Sequence, residues 1–150
     1  MNYMYHEEAE QLVAKGQEAL THDHDYLALT CFEQAISIEW TPLTCSSLAY
    51  CIAKVRGNHR EAILLARKAL DLEPENAIHY CNLGRILLLA GDNEQGIQMF
   101  RKGMKYGEQI SIIRELEKHG IRKPPIFKKL ARNHPLNKYL GLLLVRLGLR

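Results

Sequence analysis

The sequence predicts an all-α fold, a solenoid of stacked antiparallel helix pairs. Two observations predict it: small residues recur at a fixed period, and turn signals separate segments of helical length. Ala28, Ala62 and Gly96 are evenly spaced, and Ala35, Ala69 and Gly103 share that spacing. Phe32, Ala66 and Phe100 repeat at the same interval, and so do Gly57 and Gly91. A fixed period of about 34 residues marks stacked supersecondary units, and small residues at the recurring sites let two helices approach closely.

The elements follow in order. Residues 5–21 read as a first helix, with Leu12, Lys15-Gly16 and Ala19 as its packing stripe. Thr21-His22-Asp23-His24-Asp25 is a polar turn in which Asp25 is the expected cap of the next helix, 26–38. Thr41-Pro42 opens helix three, since proline is tolerated in a first turn. Gly57-Asn58 breaks to helix four, which ends at Glu73-Pro74. Glu75-Asn76 leads to helix five and Gly91-Asp92-Asn93 to helix six. One pair cannot bury its apolar face alone, so the last pair needs a cover. Ser111 to Glu117 supplies a seventh, capping helix that Gly120 ends, with Pro124-Pro125 beyond.

These readings divide the chain into residues 1–119, three helix pairs plus the cap, and 120–150, a basic, leucine-rich helical extension. Residues 1–117 hold 11 Lys and Arg against 17 Asp and Glu, a net of −6. Residues 118–150 hold 9 Lys and Arg and no acid, a net of +9. Within the extension, Leu136, Leu140, Leu143, Leu144 and Leu147 line one helical face. Such a face must be covered, by the solenoid as the first expectation, otherwise by a second copy in a homodimer, a partner or a membrane. The charge asymmetry keeps a membrane surface or a nucleic acid open as alternative partners of this segment.

The third copy is the most complete. It reads Ala77-Ile78-His79-Tyr80-Cys81-Asn82-Leu83-Gly84, then Leu87, Gly91-Asp92-Asn93, Gly96, Phe100 and Gly103. The second supplies Gly57-Asn58, Ala62, Ala69 and Leu72-Glu73-Pro74; the first supplies Leu12, Gly16, Ala28, Phe32 and Ala35. Over residues 9–108 the chain resembles the tetratricopeptide repeat family, whose superhelix of helix pairs the resemblance implies. It departs from the pattern in places. Tyr50 falls where the second copy wants Gly or Ala, which predicts a one-residue irregularity near Lys54-Val55-Arg56 with Leu48-Ala49 as the small pair. Asp23 replaces a turn glycine, Trp40 replaces a closing proline, and Gly96 and Gly103 replace alanines. The arrangement Arg122-Lys123-Pro124-Pro125 with His134-Pro135 is similar to an ending of some small bacterial repeat proteins.

No chemistry-bearing motif stands out. Cys31, Cys45, Cys51 and Cys81 show no CxxC pairing and read as thiols. His22-Asp23-His24-Asp25 has metal-ligating types, but adjacent turn residues rarely converge on one ion, so no metal is expected. Neither GxSxG, nor a P-loop, nor a dinucleotide-binding glycine motif is present. The expectation is a non-enzymatic protein with no cofactor and no small-molecule substrate. Without a charged-then-apolar start or a long apolar run, the expected location is cytoplasmic.

The resemblance implies a binding groove lined by the first helix of each pair. Transferred to this sequence, its inward positions single out Val13 and Gln17 from the first copy. The second gives Ser47, Leu48, Cys51 and Lys54, and the third gives Ile78, Cys81, Asn82, Arg85, Leu88 and Leu89. Lys54, Asn82 and Arg85 would be polar anchors, and Leu48, Leu88 and Leu89 apolar contacts. This lining suits a protein or peptide segment, so the function expected is an interaction scaffold or adaptor. The carboxylate clamp of chaperone-binding members is missing, because its positions here carry Val13, Gln17, Leu48, Ile78 and Asn82.

Overall fold

The computed structural model describes residues 2–107, 110–120 and 139. The chain divides into two units, Met1–Gly120 and Ile121–Arg150; the account below concerns the first. The expectations for the leucine-rich extension lie outside the described residues.

Seven α-helices make up this unit among the described residues, with no strand. They are α1 (Asn2–Thr21), α2 (Asp25–Ile38), α3 (Pro42–Cys51), α4 (His59–Leu72), α5 (Ala77–Leu89), α6 (Asn93–Gly103) and α7 (Ile110–Glu115). A π-helical turn, Ile52–Arg56, extends α3, and another, Leu116–Gly120, extends α7. Helices α1 and α2, α3 and α4, and α5 and α6 pack as consecutive pairs, and α3 and α5 join neighbouring pairs.

Local chemistry sets the boundaries. Thr41, Asn58, Asn76 and Asp92 cap α3, α4, α5 and α6 by accepting a backbone N–H in the first turn. Pro42 takes the first helical position, where no donor is needed. Asp25 does not cap α2: it is the first helical residue, and His24 stands at the cap without a side-chain bond. Gly57 and Gly91 turn the chain at φ 66° and 86°, a left-handed conformation that glycine adopts without strain. Asp23 holds the equivalent place at φ 56°.

The recurring small residues sit where helices meet. Ala28, Ala35, Ala62 and Ala69 are all fully buried. A Cβ added to Gly16 would lie 2.9 Å from the Phe32 ring, and one added to Gly84 would lie 2.5 Å from the Phe100 ring. In both pairs the aromatic ring of the second helix occupies the space a side chain would need.

The middle pair solves the same problem differently. The capping residues Thr41 and Asn76 stand one residue further apart than the turn glycines Gly57 and Gly91. The first helix of the second pair therefore starts one residue early, and the π turn at Ile52–Arg56 absorbs the extra residue. Before that turn every residue is displaced by one position against the third copy. Ala49, fully buried, becomes the counterpart of Gly84, and Tyr50 becomes the counterpart of Arg85. The irregularity expected near Lys54-Val55-Arg56 is this turn.

The main core joins α1 to α5 through Ala19, Ala28, Leu29, Phe32, Ala49, Ile52, Ala62, Leu83 and Ile86. A smaller cluster closes the far end: Ala77, Cys81, Phe100 and Ile112, with Leu88, Met104 and Leu116 against it. Ile112 of α7 is fully buried, so α7 covers the third pair as a cap should.

Candidate functional site: a cleft between the first helices

The first helices of the pairs and the cap enclose a cleft of about 480 Å³. Leu20 of α1 and Asp23 of the following turn form one end. Tyr50 of α3 and Lys54 of its π turn come next, then Arg85, Leu88 and Leu89 of α5. Glu115 of α7 and Lys118 and His119 of the terminal π turn form the other end.

A chain of charges and one aromatic ring crosses this cleft. The Lys54 ammonium reaches Asp25 Oδ1 at 2.8 Å and Asp23 Oδ1 at 3.4 Å. It also lies 5.9 Å from the Tyr50 ring centroid. The Arg85 guanidinium stands 5.4 Å from the same centroid, so one ring receives two cation–π contacts. Arg85 Nε donates to Glu115 Oε1 at 2.9 Å, and His119 lies 3.7 Å from Glu115 Oε2. Burial opposes the charged form of Lys54, but the hydrogen bond to Asp25 and the fields of Tyr50 and Asp25 outweigh it and raise its pKa. Burial likewise opposes charge on Arg85, and Cys81, Glu115 and Tyr50 together raise its pKa. The Tyr50 phenol is pushed up, chiefly by burial. Both cations thus stay charged in a partly desolvated setting, each tied to a carboxylate on a neighbouring element.

Four of the twelve residues expected from sequence line this cleft: Lys54, Arg85, Leu88 and Leu89. Val13 is half-buried against the main core, Gln17 is exposed and Ile78 is half-buried. Ser47, Leu48, Cys51, Cys81 and Asn82 are buried, none more than 8% exposed. Sequence reasoning passed over Tyr50 and Glu115. The signal for Tyr50 was available: Thr41 and Asn76, the capping residues of the second and third copies, stand one residue further apart than the period. For Glu115 no signal existed, because the cap lies outside the repeat.

A polar chain runs from the partly exposed Glu73 to the buried His79, Ser46 and Asn82. Glu73 Oε2 meets His79 Nε2 at 2.8 Å, and His79 Nδ1 meets Ser46 Oγ at 2.8 Å. Asn82 Nδ2 donates to Ser46 Oγ at 3.2 Å. Acid, imidazole and hydroxyl stand in the order of a nucleophilic triad. Yet Ser46 and His79 are both fully buried, so no substrate reaches the hydroxyl, and the chain serves to join α3 to α5. All four cysteines are free and buried; burial above all pushes the Cys51 thiol up to about 12, far from a reactive thiolate. The Asp23 and Asp25 carboxylates are engaged by Lys54, and among the described residues no cluster of three or more His, Cys, Asp or Glu is placed to hold a metal. Among the same residues no helix is long and apolar enough to cross a membrane.

Stacked helix pairs with a cleft between their first helices define a helical repeat protein. Residues 65–98 match the family model of the tetratricopeptide repeat, and the fold is that of a tetratricopeptide-repeat solenoid. Two solved structures share the fold. The TPR domain of Sgt2 from Aspergillus fumigatus is similar with a TM-score of 0.58 and 20% identity, over 84% of this chain and 92% of that one. The TPR domain of P58(IPK) is similar with a TM-score of 0.59 and 19% identity, over 79% of this chain and 34% of that one. No curated protein sequence matches the chain.

Proposed function

We propose that this protein is an interaction scaffold whose cleft holds a segment of a partner protein. One observation carries the reading: separate helices contribute to one cleft whose walls are apolar at Leu20, Leu88 and Leu89 and whose polar groups converge on Tyr50. Binding sites combine such apolar walls with a few fixed polar groups. Leu89 remains 43% exposed, and a partner's apolar side chain would cover it. The ion pairs Lys54–Asp25 and Arg85–Glu115 hold the polar anchors in place before binding, which lowers the ordering cost.

Leu89→Asp tests this reading. The residue is exposed and at the end of α5, so the fold should survive, as judged by an unchanged melting temperature. A photo-crosslinker at Leu89 should capture a partner that one at exposed Thr30, on α2, does not. The Leu89→Asp protein should bind that partner at least about tenfold more weakly, as expected when a charge enters an apolar contact. Unchanged affinity would overturn the assignment of the cleft.

A further inference from the structure

The charges of the cleft are unevenly distributed, and this bears on the partner. The inference rests on the proposed function above. At the end formed by α1 and its turn, two carboxylates, Asp23 and Asp25, face one ammonium. Lys54 is engaged by both, while the Asp23 side chain is 89% exposed and, among the described residues, makes only the 3.4 Å contact. At the cap end Arg85, Lys118 and His119 face one carboxylate, Glu115.

Arg85 is also only partly used. Glu115 takes its Nε, and Tyr50 supports the guanidinium. Its terminal Nη groups have no acceptor among the described residues, and Lys118 is exposed and bonds to nothing among them. A guanidinium held through Nε, with further N–H donors left over, matches a carboxylate. We propose that the cleft reads the direction of the peptide it holds, taking an acidic side chain at Arg85 and Lys118 and a basic side chain at Asp23. Apolar residues between them would cover Leu20 and Leu88. The reverse orientation would set a carboxylate against Asp23 and Asp25 and a cation against Arg85 and Lys118, and like charges suppress such a pose.

The spacing follows from Tyr50. Lys54 Nζ lies 5.9 Å and Arg85 Cζ 5.4 Å from its centroid. Asp23 Oδ1 stands 3.4 Å from Lys54 Nζ, so it is no more than about 15 Å from the guanidinium, which an extended peptide spans in about four to five residues and a helix in about three turns.

A library of random twelve-residue peptides displayed on phage tests the idea. It would be selected on the full chain, on Lys118→Glu, and on Arg85→Gln checked for an unchanged circular dichroism spectrum. The wild-type protein should enrich peptides with an acidic and a basic residue in one fixed order, apolar residues between. The best of them, measured by fluorescence polarisation, should bind Arg85→Gln about tenfold more weakly and Lys118→Glu about threefold more weakly. Reversing its charges should cost at least as much. Enriched peptides with no charge order, or with affinity indifferent to Lys118→Glu and Arg85→Gln, would overturn the polarity; if Leu89→Asp still weakened them, the cleft would stand as their binding site. No enrichment over an unrelated protein would overturn the binding reading itself.

Discussion

Arg85 and Glu115 tie the body of the solenoid to its cap, and reversing the pair gives a decisive measurement. Their side chains are 25% and 19% exposed and share a 2.9 Å bond. Arg85→Glu removes a charge-assisted hydrogen bond worth about 1.5–3 kcal/mol. It also sets two carboxylates against each other, which at about 4 Å and an effective dielectric near 20 costs up to about 4 kcal/mol before the side chains swing apart. A net loss of about 3–5 kcal/mol is expected, which in a domain of this size lowers the melting temperature by roughly 10–20 °C. Arg85→Glu is therefore a poor choice for a pure binding variant. Adding Glu115→Arg restores an opposite-charge pair and should recover most of the loss. Thermal and urea unfolding of wild type, both single variants and the double variant give a coupling energy expected to exceed about 2 kcal/mol. Coupling under about 0.5 kcal/mol would refute the pair as the link between α5 and α7.

Two further outcomes follow from the packing and the polar chain. Gly84→Ala should destabilise the protein despite alanine's better helix propensity, because its Cβ would fall 2.5 Å from the buried Phe100 ring. In a Phe100→Leu background the same change should turn neutral or favourable, by up to about 1 kcal/mol, and a stabilising Gly84→Ala in the wild type contradicts the close approach. Hydrogen bonds from Asn76 and then His79 hold the Glu73 carboxyl below its ordinary 4.5. A depressed pKa contributes stability that is present above the unfolded-state value and is lost as the pH falls through the folded-state value. Glu73→Gln should flatten the acid limb of the stability curve below pH 4.5, and an identical limb in both proteins contradicts the linkage.

The fold was legible because its signal is redundant. Three copies in phase, with Gly57-Asn58 and Gly91-Asp92 at the turns, leave little freedom in where the pairs begin and end. The cap was legible too, since Ile112 and Leu116 lie at helical spacing and both join the terminal cluster. The cleft was legible only in part. Transferring inward positions at the strict period places Cys51 beside Arg85, whereas Cys51 is fully buried and Tyr50 takes that place. Periodicity describes the average repeat, and a site is built from deviations from it. Lys54 and Arg85 stand in the cleft as the sequence led one to expect; their partners, Asp25 and Glu115, come from other elements, and a sequence does not display such pairings.

The early start of α3 connects these observations. In the first and third pairs a glycine of the first helix receives a phenylalanine ring from the second: Gly16 with Phe32, and Gly84 with Phe100. Carried over at the strict period, the middle pair would place Tyr50 at the contact, where a phenol does not fit between helices that close. The π turn displaces the register by one residue, so Ala49 enters the contact and Tyr50 is released into the cleft. The second helix answers with Ala66, fully buried, where its neighbours carry phenylalanine. Released there, the ring becomes the surface against which Lys54 and Arg85 both stand. Without it, two like charges would share the cleft with no aromatic face to receive them. One extra residue in a helix thus converts a packing position into the centre of the proposed site, in keeping with the tendency of π turns to fall where function does.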